Sequence, residues 1–220
     1  MIQINKQSLS TEAAHRLREM IGEGRLQPGA WLDEQRLAQA MGLSRTPLRE
    51  AIRLLVSEGL IRIEPRKGCF VNSLSESDLD EIFPLMGMLE GRCAHEAAQR
   101  ASPRDLEALE KLHLQLTKLA KEEKIDEYYL TNRKIHEMIQ KIASNQWLSN
   151  ILDELRNVLN LSRHRSLSLD GRIQASCKEH LEIFSAIKAQ DSEKAAAITN
   201  RHLMNQRTAL QKLNEIEEVV

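Results

Sequence analysis

The stretch "GLSRTPLREAIRLLVSEGL", Gly42–Leu60, decides the fold of the first third of the chain. Leu48, Ala51, Ile52 and Leu55 recur at helical spacing, so the pattern predicts a helix from about Arg45 to Glu58. Gly59 stops it. Ser44 stands where an N-cap stands. Pro47 removes the third amide of the first turn and leaves the second for the cap. It also disfavours helical backbone at Thr46, so context sets that turn. Beside the apolar face, Arg45, Arg49 and Arg53 recur every four residues as a cationic stripe. Such a helix start offers hydroxyls and long cations to something outside the chain.

Working outward, "STEAAHRLREMIGEGRL" provides Ser10 or Thr11 as a cap and Ala14, Leu17, Met20 and Ile21 as an apolar face. "QPGAWL" breaks that helix. A second helix is expected from about Asp33 to Met41, with Leu37, Ala38 and Met41 on one side and Gly42 at its end. Downstream, "LIRIEPRKGCFVNS" reads as strand, tight turn and strand, with Pro65 and Gly68 marking the turn. Two helices joined by a short Gly-containing turn and followed by a hairpin make a winged helix-turn-helix, assigned to residues 1–73.

The chemistry of this unit suits a DNA major groove. An arginine can bond the O6 and N7 of guanine together, discriminating by about 1–3 kcal/mol. The Ser44 and Thr46 hydroxyls, with amides at the helix start, suit phosphates. Arg66 and Lys67 sit at the hairpin tip, where a wing reaches backbone or minor groove. A single arginine on a helix face is merely solvated. The combination of helix pair, wing, polar helix start and basic stripe is what points to DNA.

Composition agrees with two modest domains in 220 residues. Apolar residues make up 41%, enough for a core, and aromatics only 3%, with Leu, Ala, Glu, Lys and Arg favouring helix. The net charge of −1 hides an asymmetry: +3 through Ser73 and −4 beyond it. An anionic partner is thus expected for the head alone. Cys69, Cys93 and Cys177 are far apart and odd in number, which argues for core thiols in a reducing compartment. No apolar run approaches a bilayer span and no signal peptide opens the chain, so a cytoplasmic protein with no membrane partner is expected.

Beyond Asn72 the pattern is helical throughout, and residues 74–220 are expected to form an all-α bundle. The first of these helices follows a Ser cap, and Pro84 should bend it or mark a late start. Ser102 with Pro103 opens the next. Further helices fit Ile125–Ala143, Gln146–Leu161, Gly171–Ala189 and Ser192–Glu217. The fold class is therefore mainly α, a winged helix-turn-helix with a small β-hairpin followed by a helical bundle. Of seven histidines, three fall on apolar faces of different helices: His136, four residues after Asn132; His180, beside Ile183 and Phe184; and His202, near Ile198 and Leu203. Converging imidazoles suit Zn, Ni, Fe or similar ions. Spacing alone leaves satisfied core histidines the better reading.

"LQPGAWLDEQRLAQAMGLSRTPLREAIRLLVSEGLIRIEPRKGCFV" resembles the DNA-binding head of the GntR family of bacterial transcription regulators. The likeness covers Leu26–Val71 and is carried by "SRTPLREA", the preceding PG and the "EGL…RKGxFV" wing. It implies that Arg45, Thr46 and Arg49 meet the operator, with Ser44 and Gln35 beside them and Arg66 and Gly68 in the wing. It also implies a homodimer on a short inverted repeat.

The body resembles the effector domain called FCD, of the FadR branch, through "NRKIH", "ASNQWLSNILDEL", "EHLEIFSAI" and the "D-x4-AA…RHL" run. That resemblance implies a divalent metal, Zn or Ni or similar, held by Asn132, His136, His180 and His202, with a small organic-acid effector beside it. It implies further that repression relieved by ligand is the commoner arrangement. Two positions depart from the family pattern. Asn132 stands where Asp is common, so the ligand oxygen brings no charge. Met86 stands where many members carry an arginine that pairs with the effector carboxylate. Arg163, Arg165 and Arg172 are the candidate replacements, and Arg92 lies on another helix face. The competing readings are a metal-free, fatty-acyl type of the same branch and a histidine–metal hydrolase. The histidine set argues against the first. The absence of HExxH and of a placed general base argues against the second.

Overall fold

The computed structural model describes residues 9–22 and 24–219, apart from the side chains of 160–164 and 217–219. Backbone contacts divide the chain into two compact units. One runs to Leu74 and takes in 157–161; the other comprises 75–156 and 162 onward.

The first unit contains α1 (Leu9–Gly22), β1 (Trp31–Leu32), α2 (Glu34–Met41), α3 (Arg45–Ser57), β2 (Ile61–Glu64) and β3 (Gly68–Val71). Asp33 caps α2 by accepting from the amides of Gln35 and Arg36, and Gly42 closes it in the left-handed region at φ 66°. α3 then begins three residues later, at Arg45. Its apolar face, Leu48, Ala51, Ile52 and Leu55, is buried against Leu17 and Ile21 of α1 and Val71 of β3. Full burial of each of the three larger side chains, Leu48, Ile52 and Leu55, contributes about 1.5–3 kcal/mol before ordering is counted.

Local details depart from the sequence reading. Ser10 lies inside α1 and is buried, not at its cap, because the helix already starts at Leu9. Ser44 occupies the N-cap position with extended backbone, but its side chain makes no capping bond. The wing has a third strand. The order is β1-β3-β2, all antiparallel, with Trp31 opposite Phe70 and Ile61 opposite Val71. The residues that break α1 thus go on to pair with the wing. The turn between β2 and β3 places Arg66 at φ 66° and Gly68 at φ 113°. A Cβ at Gly68 would come within 2.8 Å of the Trp31 indole nitrogen, so the edge strand and the positive φ both require glycine there.

The second unit consists of α4 (Glu76–Arg100), α5 (Pro103–Lys121), α6 (Ile125–Ala143), α7 (Gln146–Ser166), α8 (Arg172–Lys188) and α9 (Ser192–Val219). Capping boxes start α4 and α5: Ser75 with Asp78, and Ser102 with Asp105. Pro84 does not delay α4, which begins eight residues earlier and continues through it. The proline is exposed, while Phe83, Met86 and Gly87 pack inward and hold the helix across the lost bond. α7 runs five residues past Leu161, the expected end. α4 lies along α9 and also meets α6 and α8, while α5 meets α6 and α8. Gly87 and Gly91 permit the close α4–α9 approach: a Cβ would meet the Asn200 side chain and the Ala196 carbonyl, each at 3.0 Å. All three cysteines are buried and unbridged.

Candidate metal centre and nucleic-acid interface

In the second unit, α6, α8 and α9 each turn one histidine inward. His136, His180 and His202 are all buried, with ligating atoms within 4.8 Å of one another. Their ring centroids are separated by 5.0 Å (136 to 180), 5.6 Å (136 to 202) and 4.6 Å (180 to 202). Asn132 lies one turn before His136 and is 4% exposed, and its buried Oδ1 accepts no hydrogen bond. A buried amide oxygen left without a donor is costly unless something else satisfies it. A cation bound by the three imidazoles would do so. The donor set of three nitrogens and one oxygen is one that a divalent ion of the zinc or nickel kind accepts.

Two carboxylates orient the imidazoles. Glu90 of α4 accepts from His136 Nδ1, and Glu179 of α8 accepts from His202 Nδ1 at 2.5 Å. Each bond fixes the tautomer that leaves Nε2 as the basic nitrogen. The carboxylates are themselves held. Arg156 Nε donates to Glu90 at 3.3 Å and another of its nitrogens to Gln140. Arg172 donates through both terminal nitrogens to Glu179, at 3.0 and 2.8 Å. Burial pushes the Glu179 carboxyl up, but hydrogen bonds from His202 and Arg172 outweigh it and bring the pKa down to about 2. Glu179 is therefore ionised in its pair with Arg172.

A fourth imidazole lies nearby. The His113 ring stacks on Phe184 with centroids 4.7 Å apart and lies 6.2 Å from that of His180. Its Nδ1 is bonded to the Leu109 carbonyl at 2.7 Å, and burial lowers its pKa, which keeps it neutral. His113 stands outside the three-histidine group.

Of the arginines considered for an effector, Arg172 is buried and engaged with Glu179, so it supports His202. Arg165 donates to Asn214 at 3.1 Å. The Arg163 side chain lies outside the described residues. Met86 is fully buried in α4.

The sequence reading missed Glu90, Glu179, Arg156 and Gln140. Glu90 was visible in principle. It falls on the inward stripe of α4 with Phe83, Met86 and Gly87, where a lone carboxylate needs a partner. Arg156 carried no such signal, because an arginine on an amphipathic helix is ordinary.

In the first unit, the residues expected to meet DNA are on the surface. Ser44, Arg45, Thr46 and Arg49 are exposed at the start of α3, Gln35 in the first turn of α2, and Arg66 in the wing turn. Arg45 donates to Gln35 Oε1 at 3.1 Å. Arg49 donates through Nε to Glu34 Oε2 at 2.7 Å. Gly68 shapes the wing and has no side chain to offer.

The comparisons with known proteins agree with this division. Residues 9–71 match the family described as bacterial regulatory proteins, gntR family, and residues 81–205 match the FCD domain. The uncharacterized HTH-type transcriptional regulator YdhC of Bacillus subtilis is 31% identical over 182 residues, 82% of this chain and 81% of the relative. The HTH-type transcriptional repressor RspR of Escherichia coli is 26% identical over 177 residues, 80% and 77% of the two chains. The solved structure of E. coli McbR/YncC shares the fold with a TM-score of 0.80 at 23% identity, covering 94% of this chain and 99% of that one. The chain belongs to the GntR family of bacterial regulatory proteins and is one of its transcriptional regulators with an FCD domain, not an enzyme.

Proposed function

We propose that this protein is a one-component regulator of the FadR branch, acting in the cytoplasm as a homodimer on an inverted-repeat operator. Its body holds a divalent metal through Asn132, His136, His180 and His202 and senses a small organic acid there. The observation that carries the reading is the set of three buried imidazoles beside the undonated Asn132 oxygen. A metal at this set would satisfy that oxygen.

When bound, the metal supplies a Lewis-acidic seat for an anionic group. The chain's own residues do the rest. Glu90 and Glu179 hold His136 and His202 in the ligating tautomer, and Arg156 and Arg172 hold the carboxylates. All four donors are neutral, and both supporting carboxylates are paired with a guanidinium. An acid joining this centre therefore meets no unpaired negative charge among the supports described. Met86 offers only apolar contact, so the acid depends on the metal more than on an arginine. In the head, Arg45 and Arg49 read base edges while Ser44, Thr46 and the wing residue Arg66 position the unit on phosphates. Effector occupancy shifts the balance between operator-competent and incompetent arrangements of the dimer.

Metal analysis of protein purified with metal present, followed by anisotropy titration of its own upstream DNA, tests both halves. The expected result is about one metal per chain, salt-sensitive sequence-selective binding, and a thermal shift by small carboxylates that a chelator removes. Sub-stoichiometric metal after replete purification defeats the centre. Absence of selective binding under every metal and ligand condition defeats the DNA reading.

A further inference from the structure

Glu34 is the first residue of α2 and stands beside the reading surface without being a candidate reader itself. Its carboxylate is held from behind. Oε1 faces the buried Cys69 thiol at 3.8 Å, while Oε2 accepts from Arg49 Nε at 2.7 Å. The bond runs from Nε, so the Nη1 and Nη2 edge of Arg49 is the part of the guanidinium not used by it. That edge presents two parallel N–H donors, which can meet O6 and N7 of guanine together. The Arg49 side chain is 59% exposed and the Glu34 side chain 27%. An ion pair so exposed contributes little to folding. Its consequence falls on what Arg49 does at the surface.

We propose that Glu34 is a positioning residue for DNA reading and a source of selectivity, an inference that rests on the DNA-reading role proposed above. It holds the Arg49 guanidinium edge-on toward the base before DNA arrives, which lowers the ordering cost of the specific contact. Its negative charge also opposes the alternative in which Arg49 swings to a phosphate. Glu34 thus strengthens binding to the right sequence and weakens binding to the wrong one. Arg45 has a different partner, the neutral Gln35, which orients without repelling phosphate.

The test uses the full-length protein and a duplex selected by the wild type from a random-sequence DNA pool, with a scrambled duplex as reference. For Glu34→Ala, the ratio of affinities for selected and scrambled DNA falls about fivefold or more, the low end of what one arginine–guanine pair discriminates. The salt slope on scrambled DNA steepens by up to about 0.9 per head, one added phosphate contact in each. Glu34→Gln keeps an acceptor for Nε but no charge, so it recovers part of the ratio and keeps the steeper slope. In an Arg49→Ala background, Glu34→Ala changes the ratio no further. Unchanged ratio and slope in both Glu34 variants overturn the proposal. So does an equal loss with or without Arg49, which would make Glu34 merely structural. Failure of the wild type to enrich any sequence overturns the DNA-reading role and this inference together.

Discussion

The two polar centres of this protein solve opposite problems. The proposed reader at the start of α3 keeps Arg45 and Arg49 in water, Arg45 bonded to Gln35 and Arg49 to Glu34. The body places its imidazoles at 0–4% exposure, and carboxylates and arginines back two of them. Water covers any imperfection in the first centre. In the second, an unmatched group costs its full desolvation penalty. The head can therefore exchange side chains with modest loss, whereas the body must be complete or be rebuilt.

The most severe break belongs to the body. His180 is fully buried between the other two histidines, with the shortest centroid separation to His202. His180→Ala is expected to abolish metal retention through gel filtration, measured by elemental analysis, while DNA affinity without effector stays within a few-fold. Stoichiometric metal in that variant would remove His180 from the ligand set. In the head, Arg49→Ala should cost about 1–3 kcal/mol of operator binding per head, one bidentate base contact in each half of the dimer. Metal content and thermal unfolding should not change, because Arg49 is exposed and outside the core of α3. Normal operator binding would show that the recognition helix docks differently.

Most of the architecture was legible because periodicity reports burial. The inward face of α3, the capping serines of α4 and α5, and the ends of α6 and α8 all follow from residue spacing and end signals. β1 was not legible: a two-residue strand carries no period, and it pairs with β3, Trp31 opposite Phe70 and Leu32 opposite Cys69, far along the chain. Of the two outcomes expected of Pro84, a bend or a late start, the late start is overturned: α4 already begins at Glu76, and sequence alone does not show that packing carries the helix through the proline. The three histidines were legible from spacing as inward-facing, but their convergence was implied only by the family resemblance, since it depends on how α6, α8 and α9 cross. Glu179 shows the limit most clearly. By sequence it is the polar neighbour of His180; in space it serves His202 and Arg172.

That partnership gives the third test. Glu179→Gln keeps the volume and an acceptor but removes the charge that favours the ligating tautomer of His202. Metal affinity is expected to fall about 10- to 100-fold, the usual loss for such a supporting group. Competition with a chromogenic chelator measures it. An unchanged affinity would mean that Glu179 serves only to neutralise Arg172.

The smallest effect returns to the surface and sharpens the contrast. Gln35→Ala removes a single exposed hydrogen bond to Arg45. Because both groups are solvated in the free protein, water replaces the bond, and folding stability should change by less than about 0.5 kcal/mol. On the operator the same loss leaves Arg45 less ordered and removes a direct polar contact. Affinity should fall by about 0.5–1.5 kcal/mol, the net worth of one hydrogen bond. Anisotropy titrations at two salt concentrations separate the two origins. A loss that is the same at both is a lost orienting or base contact. A loss that shrinks as salt rises means that Arg45, no longer oriented by Gln35, has lost a phosphate contact, and it would move the pair from reading to positioning.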